Sequence, residues 1–282
     1  MRHCSRILCV VVLAFWAGFS SPAKADVDIS IFVEALSPYG DWVGHPIYGQ
    51  VWYPRGMSAG WRPYTDGQWI YTDEFGWTWE SDWEWGWAPF HYGRWVWDDW
   101  YGWVWIPGRV WAPAWVFWRF GGGYVAWAPM PPDVVWRPGF GLHSPRFHVD
   151  RDLPWDFWNC VRSDHFPNRS IHRHILAPRN NVNIINVTQN VTNVTVINNR
   201  IVNRSIPLRS IEQASGRRIR AERIREVDDL ALPRRERRPG ELTVVRPRRV
   251  ESLSPGGERD EDEMINRIAN DREARRQAQP EP

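Results

Sequence analysis

Between Trp42 and Trp136 the apolar positions alternate with polar ones at a period of two, and the large apolar side chain is most often tryptophan. Trp69 and Tyr71 are two apart and so share one face of a strand. Trp95 and Trp97 do the same, as do Trp77 and Trp79, and Trp103 and Trp105. The stretch Asp66–Trp79 aligns without gaps on Tyr92–Trp105 at an offset of 26 residues. A weaker copy begins at Gly40-Asp41-Trp42. In all three copies two glycines stand nine apart and two tryptophans ten apart. A degenerate fourth copy runs from Trp115 through Gly121-Gly122-Gly123 to Trp127. Such a period signals one supersecondary unit used several times.

Each unit reads as a β-hairpin. Thr72-Asp73-Glu74-Phe75-Gly76 and Asp98-Asp99-Trp100-Tyr101-Gly102 supply the turn residues, with Asp for local hydrogen bonds and Gly for positive φ. Prolines in Trp87-Ala88-Pro89, Trp111-Ala112-Pro113 and Trp127-Ala128-Pro129 end strands, because proline cannot donate to a ladder. The expected fold class is all-β, a meander of short Trp-rich hairpins followed by a charged, disordered C-terminal tail.

The chain divides into five parts. Residues 1–25 read as a secretory signal peptide: Arg2 and Arg6, an apolar run from Ile7 to Phe19, then Ala23-Lys24-Ala25. Residues 26–136 form the hairpin domain. Residues 137–178 are an irregular extension rich in His and Arg. Residues 179–205 are Asn-rich and expected to form strands, with asparagines stacked in ladders. Residues 206–282 are a charged tail, largely disordered. Within it Leu208 to Ala214 suit a short helix stopped by Gly216, Ile219–Val227 and Leu242–Val245 suit strands, and Asp262–Gln277 suits a solvated helix. No transmembrane span is expected once the signal is cleaved.

Composition narrows the chemistry. Cys4 and Cys9 leave with the signal, so Cys160 has no disulfide partner in the mature chain. Cys160, His165, His172 and His174 match no standard metal spacing and lie among arginines, so no metal and no cofactor is expected. The net charge of +2 conceals −6 over Glu34–Asp133 (eleven acids, five arginines) and +6 over Arg137–Arg209 (ten arginines, four acids). The basic run Arg234–Arg238 is diluted by acid, and an exported protein meets little nucleic acid. The expected partners are a cell-envelope polymer or an envelope protein.

Ala35-Leu36-Ser37-Pro38-Tyr39-Gly40-Asp41-Trp42, Trp61–Gly67, Gly86–Trp95, Tyr101–Gly108 and Gly121–Pro129 together resemble a family of tryptophan-rich exported proteins of Gram-negative bacteria defined by a domain of unknown function. The resemblance covers roughly residues 34–218. It implies export to the periplasm or outer cell surface, and it brings no activity and no site residues.

The site expectations therefore come from the repeat itself. Trp100 aligns with Glu74 at a hairpin tip, and a tip that accepts Glu in one copy is exposed in the other. Phe75, Trp100 and Tyr101 are accordingly expected at the surface, with Asp73, Asp98 and Asp99 beside them; Trp83 and Trp85 in the acidic connector are expected there too. The reading that follows is a non-catalytic binding or scaffolding protein. A sharper alternative is a glycan- or peptidoglycan-binding module in which sugar C–H faces stack on these rings. A third is a hydrolase built on Glu80, Asp82 and Glu84. The chain has no Gly-x-Ser-x-Gly elbow, no His-Glu-x-x-His helix and no phosphate loop.

Overall fold

Trp42 faces Trp52, Trp69 faces Trp79, Trp95 faces Trp105, and Trp118 faces Trp127, each pair directly opposite across two antiparallel strands. These four pairs define four hairpins in the computed structural model, which describes residues 29–137, 141–144, 146–198, 200–228 and 238–247. The expected signal peptide, residues 234–237 of the basic run and the helix proposed over 262–277 lie outside the described residues.

A helix α1 (Ile29–Leu36) precedes the hairpins, which are β1 (Gly40–His45) with β2 (Gly49–Pro54), β3 (Gly67–Thr72) with β4 (Gly76–Ser81), β5 (Arg94–Asp98) with β6 (Gly102–Ile106), and β7 (Val116–Gly121) with β8 (Tyr124–Pro129). Then follow β9 (Val135–Arg137), β10 (Gly141–His143), α2 (Val149–Asp152), β11 (Asn159–Arg162), α3 (Asn181–Val187), β12 (Gln189–Asn190), β13 (Val194–Ile197), β14 (Arg200–Asn203), α4 (Leu208–Ser215), β15 (Arg223–Val227) and β16 (Glu241–Val245). The all-β expectation is met. The fourth copy is one residue shorter than the others. Its two-residue turn, Gly122-Gly123, has both φ values positive, the geometry that suits the twist of a tight hairpin.

The hairpins do not stack in sequence order. The first and third join through their return strands at Trp52 and Trp105, giving the order β1-β2-β6-β5. The second and fourth are completed by later chain, as β13-β14-β4-β3 and β11-β8-β7-β12. Most tryptophans are core. Trp69 packs edge-on against Trp79 and Trp127 and tilts on Trp118, while Phe166 fills the space beside Trp77. Several indole N–H groups find carbonyl partners: Trp52 donates to Leu36 at 3.2 Å, Trp77 to Ile206 at 2.9 Å, Trp95 to Pro89 at 2.9 Å, Trp105 to Tyr92 at 2.7 Å and Trp127 to Tyr64 at 2.9 Å. Burying a tryptophan with its N–H bonded gains its area without the cost of a stranded donor.

Two expectations need correction. Helix α1 is not legible as part of a strand meander. Phe32 and Leu36, four apart, bury one stripe of it, and the Phe32 ring meets Trp105 edge-on at 5.2 Å. The Asn-rich stretch is only partly strand. Its first half is α3, and its buried asparagines bond to backbone in place of forming ladders. Asn181 Nδ2 donates to the Trp158 and Trp155 carbonyls at 2.7 and 3.0 Å, and Asn203 Nδ2 to that of Trp77 at 3.1 Å. Short amide side chains compete for local backbone groups and favour such arrangements. The short elements expected within the tail are present among its described residues. The helix at Leu208–Ser215 ends at Gly216 in the left-handed region, as expected. The strands β15 and β16 pair in parallel, and Leu242, Val244 and Val245 are buried in the main core.

Candidate aromatic binding cleft

The loop of each of the first three hairpins is held by the residue five positions after its leading glycine. In the second, Thr72 Oγ1 accepts the Phe75 N–H at 3.1 Å. In the third, one oxygen of Asp98 accepts both the Trp100 and the Tyr101 N–H at 2.9 Å. In the first, His45 Nδ1 accepts the Ile47 and Tyr48 N–H at 3.1 and 3.3 Å. Side chains that bond backbone two or three residues ahead stabilise turns in this way. Because His45 Nδ1 is an acceptor, its proton sits on Nε2, which lies 3.4 Å from the second oxygen of Asp98. The two loops are thus tied to each other.

This locked loop presents Trp100 to solvent; the residue is 91% exposed. Trp97, on the same hairpin, is 47% exposed and stands edge-on to buried Trp103, with Phe157 tilted against both rings. Together with His45, Tyr48 and Asp99, they form one wall of a cleft of about 1030 Å³. The opposite wall comes from α2 and the turn after it, with Phe147, Arg151, Asp152, Leu153, Pro154 and Phe157. Arg151 is spent within that wall: its guanidinium forms a two-point pair with Asp152 at 2.9 and 3.0 Å. Large, solvent-facing aromatic rings in a concave surface with a few polar groups are the usual make-up of a ligand site.

The structure sorts the sequence-predicted residues. Trp100, Asp98 and Asp99 line the cleft. Tyr101 is exposed but points away from it, stacked on Tyr53 at 5.1 Å. Trp83 lines a separate cleft of about 730 Å³ with Tyr39, Arg55, Met57 and Glu84, where it lies parallel to Trp85 at 5.7 Å. Two expectations of exposure are wrong. Trp85 is core, held in a 3₁₀ turn over Glu84–Trp87. Phe75 is 1% exposed: it packs on Trp111 at 4.7 Å, and β14 lies over its loop, where Asn203 N–H donates to the Phe75 carbonyl at 2.8 Å and Arg200 pairs with Glu74. Asp73 stays exposed at that tip, but the ring beside it is covered. Trp97 and the whole 147–157 wall escaped the sequence reading. Trp97 shares its strand face with buried Trp95, and only the third dimension shows that its end of the strand overhangs the core.

Glu80, Asp82 and Glu84 of the expected hydrolase set line one cleft with Gln68, Trp79 and Trp83, where Glu80 accepts from Gln68 and Glu84 from the Tyr39 hydroxyl at 2.8 Å. Cys160 is buried in β11, and burial pushes its thiol up to about 12. His165 and His174 stack at 4.3 Å with Asn168 between their nitrogens. Among the described residues no three His, Cys, Asp or Glu form a metal-binding group, and no helix is long and apolar enough to cross a membrane.

Residues 33–134 match a family of unknown function (DUF6600). The DUF6600 span starts within α1 and holds all eight hairpin strands. It therefore contains the Trp97–Trp100 wall, and it ends before the 147–157 wall. No curated protein and no solved structure matches the chain.

Proposed function

We propose that this is an exported, non-catalytic cell-envelope protein that holds a polysaccharide chain in the cleft beside Trp97 and Trp100. The observation that carries the reading is the fixed exposure of Trp100. A ring this large gains about 1.5–3 kcal/mol by burial, yet the loop that carries it is pinned outward through Asp98 and His45. Sugar rings offer flat apolar C–H faces to such a surface. The signal-like N-terminus supports export. The non-catalytic part rests on two of the three cleft carboxylates being committed, Asp98 to His45 and two amides and Asp152 to Arg151 and the His148 N–H, which leaves Asp99 without a free second carboxylate for a hydrolytic pair.

The test is co-sedimentation of the protein with peptidoglycan and a panel of insoluble polysaccharides, with tryptophan fluorescence read on soluble oligomers. Saturable binding with quenching is expected, weakened up to about tenfold by Trp97→Ala or Trp100→Ala, the loss of one ring contact. Binding that both variants retain in full would place the site elsewhere. No binding across the panel would defeat the glycan reading and turn the search to protein partners.

A further inference from the structure

The walls of the cleft differ in charge from the chain segments that supply them. The stretch Arg137–Arg209 is +6 overall, but its contribution to the cleft is Arg151 and Asp152, which neutralise each other at 2.9 and 3.0 Å. The neighbouring Asp150 turns away to the buried Arg119. On the other wall Asp98 is held by His45 and the loop amides, and Asp99 stands exposed beside Trp100. The surrounding hairpin body is −6. The cleft thus presents the exposed Trp100 and the half-exposed Trp97 next to an exposed carboxylate, and among the described residues that line it no cation is uncommitted.

That combination attracts one kind of sugar chain and repels another. A protonated amine is drawn to the face of an indole by its quadrupole and to a carboxylate by charge. A polyanionic chain meets the opposite field. Resting on the glycan reading above, we infer that the cleft selects chains carrying free amino groups, with Asp99 and the Trp100 ring receiving the ammonium and Trp97 the apolar face of an adjoining sugar.

The experiment uses the whole protein and three soluble oligosaccharides of equal length: a β-1,4-linked glucosamine chain, its fully N-acetylated counterpart and an oligouronate. Binding is measured by titration at mildly acidic pH, where the amine is protonated. The free-amine chain is expected to bind about fivefold tighter than the acetylated one, the size of an exposed ion pair supported by a ring contact. The difference should vanish in Asp99→Asn, and shrink in about 1 M salt, where the Debye length falls to about 3 Å. Equal or tighter binding of the acetylated chain or of the oligouronate, lost in Trp100→Ala, would overturn the charge selection and leave the glycan site standing. An amine preference that survives intact in both Trp100→Ala and Asp99→Asn would also overturn it, by assigning the preference to the acidic body as a whole. Absence of binding by all three chains would remove the selection together with the reading it rests on.

Discussion

Trp79 fills the space that a side chain on Gly67 would need. A Cβ there would stand 2.7 Å from the indole ring and 2.2 Å from the Glu80 carbonyl oxygen. The first and third repeats share the arrangement. A Cβ on Gly40 would meet Trp52 at 2.5 Å, and one on Gly93 would meet the Trp105 nitrogen at 2.8 Å. The Gly-x-Trp signature therefore has a physical meaning: the glycine leaves room for the tryptophan of the return strand. Gly67→Ala should cost about 1–3 kcal/mol, the range of overpacking in a filled core, seen as a drop in denaturation midpoint. Gly44→Ala, in the same kind of strand but with only the end of Gln50 at 4.0 Å, should be near neutral. Equal losses at the two positions would refute the assignment.

The bonded and unbonded indoles should respond differently to the same substitution. Trp105 donates to Tyr92, whereas the buried Trp79 N–H has no partner among the described residues. Phenylalanine removes similar volume at each site. At 105 it also strands a carbonyl, and at 79 it removes an unpaired donor. Trp105→Phe should be the more destabilising by about 1–3 kcal/mol, measured by urea unfolding of the two variants.

His91 makes the body sensitive to acid. Its ring is buried, stacked on Trp111 at 5.3 Å, with Nδ1 donating to the Ala112 carbonyl at 2.9 Å. Burial lowers its pKa from 6.5 to about 4. As pH falls, the unfolded chain takes up this proton before the folded one does. The contribution is fully present above about pH 6.5 and is lost progressively down to about pH 4, amounting to some ~3 kcal/mol at most. His91→Gln should be less stable than the parent at neutral pH but flatter across that window. A parent and variant with parallel pH profiles would show that His91 is not the sensor.

Cys160 should be inert in the folded protein. A thiol buried in β11 with its pKa near 12 exposes almost no thiolate at neutral pH. A thiol-specific chromogenic reagent should react with it only at the rate of unfolding and rapidly in denaturant. Fast labelling under native conditions would contradict the burial.

What the sequence showed and what it hid divide by range. The hairpins and their loops follow from residues within fourteen positions of one another, where spacing and turn chemistry act, and the outward Trp100 follows from its alignment with Glu74 one repeat earlier. Phe75 departs from its local pattern because its cover comes from Asn203 and Arg200, far along the chain. Trp85 departs from its local pattern because its charged neighbours suit a solvated connector, while a single 3₁₀ turn rotates Trp85 and Trp87 inward and leaves Asp82 and Glu84 out. The second wall of the cleft had no local signal, since Phe147 and Phe157 become site residues only when α2 is laid against the third hairpin.

The pairing of the first hairpin with the third, and the closing of the second and fourth by residues beyond 158, separate this body from true repeat arrays, where each unit leans only on its neighbours. The Trp77 indole waits for a carbonyl at Ile206, 129 residues away. A chain stopped after its last tryptophan hairpin would carry every repeat and still lack two strands that β4 and β8 need as neighbours. Repeats cannot be added or removed one at a time, and the body can finish folding only after its C-terminal half has been delivered.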